Sequence, residues 1–474
     1  MYARRRVWER DFVHQAVRSL TVAALKDREC SVVVATRFRL TAYRLRDGRQ
    51  GYVAEDTVLC RPEVTFVLAT FNRREVLVNT LRQVMDCGLP GSAVEVIVVD
   101  NASTDGTADQ VRRDFPNVRL IESAKNLGSC AKSLALEHVR SPYTMFLDDD
   151  SYPRPGSVER MLDYFASDDR LGAAGFRVHL PDGGEECSAF PGVFIGCGVG
   201  LRTGALREIG GLDRDFFMQA EEYDVSFRLI QAGWRVRTFD DLHVEHLKSP
   251  QARYSSRTTF FDTRNNLLLI ERYLPDESAK IYRTDWLQRY RWLAAANGHG
   301  GSFSQAVANV RQQGPSQRRR FAGFRLGSAA FETLFLWEDV ERRMRELHDN
   351  GIRRIAFADL GKNVYAYHRG ARETGLSVLG IADDRFFRPG RHYRGLPLIP
   401  IDRIDDLKPD AVLISNTSFV HAAQTQRRLS ARITIPIFNW FGANDFRFSV
   451  TGGSVDIDAT CAENPQPNGR WSPA

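Results

Sequence analysis

The chain has 474 residues, of which 43% are hydrophobic and 26% charged. This is an ordinary globular composition, and the length predicts two main domains with appendages. The net charge of +6 arises from 65 basic and 59 acidic residues, a near balance that argues against a dedicated nucleic-acid-binding protein and suits anionic substrates or an anionic membrane surface.

Targeting and redox features are few. No stretch approaches the roughly 20 apolar residues needed to span a bilayer, and the basic Met1–Arg6 is followed by charged residues instead of the apolar core of a signal peptide. The seven cysteines are scattered and include no CxxC pair, which predicts neither a disulfide framework nor a structural zinc site. We therefore expect a cytoplasmic protein, and a peripheral contact with the inner face of the membrane stays open.

Residues 1–62 predict a small β-rich appendage without chemistry. A short amphipathic helix is expected over Phe12–Leu25, followed by strands at Cys30–Ala35 and Phe38–Arg44.

From Val64 the pattern changes to apolar strands that alternate with helices. The predicted strands are Val64–Thr70, Glu95–Asp100, Val118–Glu122 and Tyr143–Leu147. Continuous apolar strands separated by helices indicate an α/β fold with a mostly parallel sheet. Polar residues follow the carboxyl ends of these strands, which is the edge where open α/β sheets bind ligands.

Three carboxylates, Asp148, Asp149 and Asp150, follow the fourth strand. Because adjacent negative charges repel one another, we expect a divalent, oxygen-preferring cation such as Mg²⁺ or Mn²⁺ that also holds a phosphate-bearing substrate. A solvated acidic turn capped by Ser151 is the alternative interpretation.

Five motifs in order resemble the inverting family 2 glycosyltransferases, which have the nucleotide-sugar-binding GT-A fold. They are Thr70–Arg73, Val99–Gly106, Asn126–Gly128, Leu147–Asp150 and Phe216–Arg228. The resemblance places the GT-A domain at residues 63–250. It implies transfer of a sugar from a UDP- or dTDP-linked donor to a saccharide or lipid-linked saccharide acceptor in surface polysaccharide biosynthesis.

The resemblance, with the chemistry of the side chains, predicts the donor site. Asp100 is expected to accept from a base N–H or a ribose hydroxyl, and Asp105 to do the same or to cap the next helix. Lys132 is interpreted as a solvated helix lysine. The residues expected to bind the nucleotide sugar are Thr70, Asn72, Asp100, Asn101, Asp105, Asn126, Gly128, Asp148 and Asp149.

The expected ligands of the Mn²⁺ or Mg²⁺ ion are Asp150, Asp148 and His246. Asp150 is the direct ligand of a D-x-D pair, and Asp148 contacts the ribose or a metal-bound water. His246 follows from the resemblance, since a histidine after the catalytic helix completes the metal site in similar enzymes, and it matches that position better than His243.

Glu221-Glu222 stands where the family carries Glu-Asp, whose second acid is the general base. Glu222 is thus the expected base, one methylene longer than usual, and Glu221 remains the alternative. Asp224 and Arg228 are four residues apart on one predicted helix and are interpreted as a structural ion pair.

The remaining chain is predicted to hold a helical extension and a second α/β domain. Residues 251–345 are expected to be helical, with a flexible break at Gln312–Ser316, and residues 346–448 to form a Rossmann-like domain. Its first turn, Asp359–Asn363, has one glycine where the dinucleotide fingerprint has three. We therefore expect it to position the catalytic domain, a partner enzyme or a second subunit and not to bind a dinucleotide. Residues 449–474 are predicted to be a disordered tail.

Two alternative functions stay open. A catalytically silent nucleotide-sugar-binding scaffold is supported by the departure at Glu222. A sugar-1-phosphate nucleotidyltransferase would need a glycine-rich basic loop where Thr70–Glu75 stands. The expected partners are a nucleotide-sugar donor and a saccharide or lipid-linked acceptor, without nucleic acid, and a homo-oligomer is left open.

Overall fold

A hairpin and two larger sheets organise the described part of the chain. The computed structural model describes residues 39–44, 50–55, 62–86, 93–248, 255–441, 450–451 and 454–455. The chain divides into two units, Met1–Pro62 and Glu63–Ala474. In the first, β1 (Arg39–Arg44) and β2 (Gln50–Glu55) pair antiparallel. The predicted helix Phe12–Leu25, the predicted strand Cys30–Ala35 and residues 456–474 lie outside the described residues.

The first large sheet has the order β5-β4-β3-β6-β10-β8-β11-β7, with β9 paired to β8. Its strands are β3 (Val64–Thr70), β4 (Val94–Asp100), β5 (Arg119–Glu122), β6 (Tyr143–Asp148), β7 (Ser151–Pro153), β8 (Leu171–His179), β9 (Glu185–Glu186), β10 (Gly198–Arg202) and β11 (Arg235–His246). Strands β5, β4, β3 and β6 are parallel, as predicted, whereas β10 runs antiparallel to β6 and β8.

Alternate residues of β3 enter different cores, because successive side chains of a strand point to opposite faces. Phe66 and Leu68 pack in one apolar cluster and Val67 in another. Parallel register places Thr70 opposite Asp100, and Ala69 opposite Asp148. The polar strand ends therefore meet at one edge. The helices of this part are α1 (Arg74–Met85), α2 (Thr107–Asp114), α3 (Ser157–Ser167), α4 (Thr203–Glu208) and α5 (Glu221–Gln231).

The predicted helical extension consists of α6 (Ser256–Tyr273), α7 (Asp276–Ala296), α8 (Gly300–Arg320), α9 (Ser328–Phe335) and α10 (Trp337–Asp349). The expected break at Gln312–Ser316 is wrong, because α8 continues through Gly314 and Pro315. A Cβ on Gly314 would lie 3.2 Å from Cγ of Glu271 on α6. The glycine thus permits close packing of two long helices, and this packing outweighs the weak helix propensity of the pair.

The second large sheet has the order β14-β15-β13-β12-β16-β17 and is parallel except for β14. Its elements are β12 (Arg354–Ala358), α11 (Val364–Thr374), β13 (Ser377–Ala382), β14 (His392–Tyr393), β15 (Leu396–Ile399), β16 (Ala411–Ile414), α12 (Phe419–Ser430) and β17 (Ile437–Phe438). A short antiparallel pair, β18 (Val450–Thr451) and β19 (Ser454–Val455), follows. None of the helices in the described ranges combines the length and the apolar character needed to cross a bilayer.

Candidate active site

Arg73 binds two of the three carboxylates that follow β6. Its Nη1 donates to Asp149 Oδ1 and its Nη2 to Asp150 Oδ2, each at 2.7 Å. Thr70 Oγ1 also donates to Asp149, at 2.8 Å. Burial raises the pKa of Asp149 to about 7, despite the nearby charge of Arg73. Asp149 thus has an inward-facing structural role, which leaves the other two acids to face a ligand.

A second group of ligand-type atoms surrounds His246 at the end of β11. His246 Nε2 lies 3.2 Å from Asp150 Oδ1, and Nδ1 lies 2.8 Å from Glu186 Oε2. Asp148, Cys197 and His246 each offer an atom within 4.8 Å of the others. The structure therefore brings together all three predicted metal ligands, and it adds the thiol of Cys197.

The protonation of this group reflects its charges. Burial alone would raise the pKa of Asp150, but His246 and Arg73 outweigh it and lower the pKa to about 2. Burial opposes the charged form of His246, yet the thiol of Cys197 and the acids Asp150 and Glu186 raise its pKa far above the usual range. Asp150 is thus held as a carboxylate, with Arg73 at one oxygen and His246 at the other.

Lys132 is not the solvated lysine that we expected. Its side chain is buried, and Nζ donates to Asp148 Oδ1 at 2.7 Å and to Gly196 O at 3.3 Å. Coulombic attraction to Asp148 raises its pKa against the effect of burial, which is the larger single influence. The prediction failed because Lys132 belongs to a 3₁₀ helix, Gly128–Ala135, that packs on the sheet. Its ammonium group lies at the acidic strand end.

Two of the predicted donor-binding asparagines hold loops in place. Asn72 Oδ1 accepts from Thr104 N at 2.7 Å. Asn101 accepts from Leu127 N at 3.0 Å and donates to Gly128 O at 3.1 Å. These bonds tie together the loops that follow β3, β4 and β5, so both residues shape the predicted nucleotide pocket through its backbone.

Asp100 and Asp105 differ in what remains for a ligand. Asp100 Oδ2 accepts from Ser103 N at 3.1 Å, whereas its buried Oδ1 has no hydrogen-bond partner in the described part of the chain. An unpaired buried acceptor is costly. Asp105 accepts from Thr107 N and Arg74 N, both at 3.1 Å, at the starts of α2 and α1. Capping therefore accounts for Asp105, and Asp100 retains acceptor capacity.

Gly128 allows the loop after β5 to touch the turn before α5. Its φ is +65°, and a Cβ there would lie 2.1 Å from Phe217 O. Asn126 Oδ1 accepts from Gly128 N at 2.8 Å and fixes the loop. Both the positive φ and the close contact with Phe217 O therefore exclude residues other than glycine at this position.

The two candidate bases begin α5, and both are half-buried. Glu221 accepts a hydrogen bond from Ser129 Oγ, and its other oxygen is buried without a partner in the described residues. Burial and the charge of Glu221 raise the pKa of Glu222. Lys132 and Asp148 lie close enough to influence the pKa of Glu221. The acids that begin α5 and the acidic strand end thus share one polar region.

The turn before α5 has an unusual backbone. Phe217, Gln219 and Ala220 have φ values of 61°, 68° and 64°, which cost energy in residues other than glycine. Asn265 of α6, buried completely, donates from Nδ2 to Phe216 O, Met218 O and Gln219 O at 2.7–2.8 Å. Asn265 therefore holds the strained turn that presents the glutamates.

The ion pair predicted on α5 is confirmed. Arg228 Nε donates to Asp224 Oδ2 at 3.1 Å, and Arg272 of α6 donates to the other oxygen, also at 3.1 Å. His243, in contrast, faces His179 at 3.0 Å between ring nitrogens.

Sequence reasoning missed Arg73, Ser129, Glu186, Cys197 and Asn265 as parts of this region. Arg73 lies in the motif Thr70–Arg73, where its charge was a usable signal. Glu186 and Asn265 approach from distant segments, and only the fold brings them near.

Two family models match consecutive parts of the chain. Glycosyl transferase family 2 matches residues 65–190, and Glycosyl transferase family group 2 matches residues 183–338. Together they span more than half of the 474 residues and include every predicted site residue. The chain is thus an enzyme of the glycosyltransferase class. Residues 65–338, the part that the two models match, are those of a family 2 glycosyltransferase.

Three named proteins are similar to parts of this chain. The N-acetylglucosaminyl-diphospho-decaprenol L-rhamnosyltransferase of Mycobacterium tuberculosis is 28% identical, over 33% of this chain and 67% of that protein. The succinoglycan biosynthesis protein ExoO of Rhizobium meliloti is 33% identical, over 25% of this chain and 32% of that protein. The structure of mannosyltransferase PcManGT from Pyrobaculum calidifontis with GDP-Man and Mn²⁺ has 17% identity and a TM-score of 0.38, over 64% of this chain and 84% of that chain.

Proposed function

We propose that this glycosyltransferase inverts the anomeric carbon, depends on a divalent cation and uses Glu222 as its general base. One observation supports this most directly. Lys132 pairs with Asp148 and also lies near Glu221, so the acidic strand end and the start of α5 border the same region. Donor and acceptor can therefore meet there. Glu221 is the nearer of the two glutamates to that strand end, whereas the other charged neighbours of Glu222 are Lys362 and Asp262. The paired variants below therefore decide which glutamate is the base.

The residues present fit a cation. Carboxylates of Asp148 and Asp150 with the imidazole of His246 suit Mn²⁺ or Mg²⁺, and the nitrogen ligand and the adjacent thiol of Cys197 favour Mn²⁺. When bound, such an ion offsets the negative charge that grows on the diphosphate leaving group. Because a ligating imidazole must be neutral, His246 would have to release its proton to hold such a cation.

The loops after β3, β4 and β5 bind the nucleotide in this proposal. Asp100 Oδ1 supplies the acceptor for a base N–H or a ribose hydroxyl, and Thr70 and Asp149 support the pocket from below. The backbone of these loops is fixed by Asn72, Asn101, Asn126 and Gly128. Asp105 caps the helices α1 and α2 beside the nucleotide pocket.

Glu222 takes the proton of the acceptor hydroxyl, which attacks the anomeric carbon on the face opposite the leaving group. The rhamnosyltransferase relative is named for a diphospho-decaprenol-linked sugar, and ExoO for succinoglycan biosynthesis. By this likeness we propose a UDP- or dTDP-sugar donor and a saccharide or lipid-linked acceptor of surface polysaccharide synthesis. A lipid-linked acceptor would bring the protein to the inner face of the membrane.

Turnover of UDP- and dTDP-sugars with Mn²⁺ tests the proposal, together with three variants. Asp150→Asn should abolish Mn²⁺-dependent donor binding measured by calorimetry, because it removes a charged oxygen ligand. Glu222→Gln should lower kcat by about 10² or more with donor affinity nearly unchanged, and Glu221→Gln should do less.

The outcomes separate the rival functions. A wild-type chain that binds a nucleotide sugar with Mn²⁺ but never transfers or hydrolyses it would be a silent scaffold. Metal-dependent affinity that survives Asp150→Asn would contradict the metal site. A greater loss in Glu221→Gln than in Glu222→Gln would transfer the role of the base to Glu221.

A further inference from the structure

A cavity of about 430 Å³ opens at the carboxyl ends of β12, β13 and β16 in the second sheet. Strands β13 and β16 lie on opposite sides of β12, so the chain reverses its winding direction there. In open α/β sheets, such a switch point is where ligands bind. The volume is in the range of pockets that take small molecules.

The cavity does not suit a dinucleotide. A Cβ on Gly361 would lie 2.5 Å from Ser415 O, so the one glycine of the turn serves packing against the end of β16. Asp383 stands where a ribose would be bound, but its oxygens accept from Leu360 N at 2.7 Å and Phe386 N at 2.9 Å. The glycine turn and the acidic residue, on which dinucleotide binding usually depends, are thus already engaged in contacts within the fold.

Acidic and basic side chains both line the cavity. The acids are Asp359, Asp383 and Asp384, of which Asp384 is paired with Arg428. Arg289 and Arg385 both lie over the ring of Phe386 and form the arginine wall of the cavity. Arg289 of α7 donates to Leu360 O at 2.6 Å, which leaves part of its guanidinium for other acceptors. No carboxylate of the described residues lies within 4.0 Å of the exposed Arg385, whose guanidinium lies 5.7 Å from the ring centroid of Phe386. Burial lowers the pKa of His421, and the charges of Arg385 and Arg289 lower it further. Cations held together in a concave site are stabilised by an anion.

Neutral polar groups line the same cavity. Asn416 and Gln424 both border it, as does Thr425, whose hydroxyl donates to Asp359 Oδ2 at 2.7 Å. Such groups suit the hydroxyls of a sugar or ribose, while the arginine wall suits a phosphoryl group, because guanidinium binds phosphate with two parallel hydrogen bonds.

We propose that this cavity is a second ligand site of the protein, separate from the candidate active site, and that it binds a phosphorylated small molecule. The phosphoryl group lies between Arg289 and Arg385, and the sugar or ribose faces Asn416 and Gln424. The ligand is of sugar-phosphate or nucleoside-monophosphate size.

Calorimetric titration of the full chain with glucose 1-phosphate, UMP and inorganic phosphate tests the proposal. The matched variants are Arg385→Gln, at the cavity, and Arg388→Gln, an exposed arginine nearby that does not line it. Titrations are made with the donor site saturated by UDP and Mn²⁺, so that UMP bound there does not contribute.

We expect a phosphorylated sugar or UMP to bind more tightly than inorganic phosphate. Arg385→Gln should weaken that binding about tenfold or more, because it removes a charge-assisted hydrogen bond. Arg388→Gln should bind the same ligand with wild-type affinity. Neither variant should change the affinity for UDP and Mn²⁺. Equal affinity in Arg385→Gln and wild type, no binding at millimolar concentration, or no preference over inorganic phosphate would each overturn the proposal.

Discussion

Glu221 makes ionisation of the neighbouring Glu222 harder. Burial and the neighbouring carboxylate raise the pKa of Glu222 above that of a solvated glutamate, and burial raises that of Glu221 despite the hydrogen bond from Ser129. A base must be deprotonated to act, so activity should fall as the pH falls through this raised pKa. The raised pKa also lies closer to a neutral working pH, and general-base catalysis is most efficient when the pKa of the base is near the working pH.

Glu221→Gln should therefore move the acid limb of the kcat/KM profile to lower pH. The substitution removes the negative charge beside Glu222, so the pKa of Glu222 falls and the base stays deprotonated further into the acid range. The measurement is kcat/KM against pH with saturating Mn²⁺. Glu338→Gln, on the exposed part of α10, serves as a control and should leave the limb in place. An unmoved limb in Glu221→Gln would show that Glu222 does not control it.

Individual residues were predictable where chemistry and a strand end coincided. Asp148 and Asp150 were predicted in this way and His246 from the resemblance to the family, and the fold brings the three together. Lys132 was misjudged because its sequence neighbours do not reveal that a short 3₁₀ helix packs its side chain against Asp148. Asp105 stayed ambiguous, because a capping carboxylate and a ligand-binding carboxylate look alike in sequence.

At the scale of elements, α6 controls the turn in front of α5. A single amide of Asn265 bonds three carbonyls of that turn. The strained backbone at Phe217 and Gln219 persists because these bonds and the contact with Gly128 fix it. The position of Glu222 thus depends on a helix more than 30 residues away in sequence.

Asn265→Ala should lower kcat by about tenfold or more with little change in donor affinity. Loss of the amide lets the turn relax, and small displacements of a catalytic group are costly. Steady-state kinetics with calorimetry of UDP and Mn²⁺ separates the two effects. Asn309→Ala, which removes a bond to Arg264 on the same helix pair, is the control for general loosening. Equal losses in both variants would contradict a specific role for Asn265.

The first four strands of the first sheet, β3 to β6, were predictable from apolar runs of five to seven residues ending in polar motifs, whereas the later strands β7 to β11 were not predicted. The antiparallel insertion of β10 between β6 and β8 was not predictable, because it depends on pairing between distant segments. The role of Asn265 was missed for the same reason, since its contacts join segments that are distant in the sequence.

On the scale of the whole molecule, the turn Asp359–Asn363 is one of several contacts of the second sheet with the helical extension. Arg394 also pairs with Asp285 of α7, and Arg369 with Glu341 of α10. Asn363, almost completely buried, donates to Phe335 O at 2.8 Å and accepts from Tyr282 OH at 2.7 Å. Trp286 Nε1 donates to Lys362 O at 3.1 Å. The helical extension therefore binds the turn with specific polar bonds inside an apolar contact.

Asn363→Ala should loosen this attachment. It leaves a buried carbonyl without its donor, which costs about 1–3 kcal/mol. Hydrogen exchange should speed up for amides of β12 and β13 while those of β3 and β4 keep their protection. Asn350→Ala, at the exposed end of α10, is the matched control. Equal acceleration throughout the chain would show instead that the two sheets unfold as one cooperative unit.

The sequence patterns indicated a second α/β domain but not how it meets the first. Composition marks a domain, whereas an interface depends on long-range geometry. Lys362 shows this best. Its sequence context suggested a degenerate phosphate loop, yet its Nζ bonds Asn266 of α6 and lies 4.0 Å from the ring centroid of Tyr223. Burial lowers its pKa to about 7.

The buried turn also sets where chimeras of such enzymes can be joined. A junction placed after α10 would separate Lys362 and Asn363 from the side chains of α6 and α7 that receive them. A buried amine would then face an unmatched surface, which is more damaging than losing an exposed pair. A junction ahead of α6 keeps the turn with the helices α6 and α7 of the same parent, but it divides Asn265 and Arg272 of α6 from the turn before α5 and from Asp224. Exchange of the helical extension together with the second sheet therefore requires a recipient that conserves these contacts of α5.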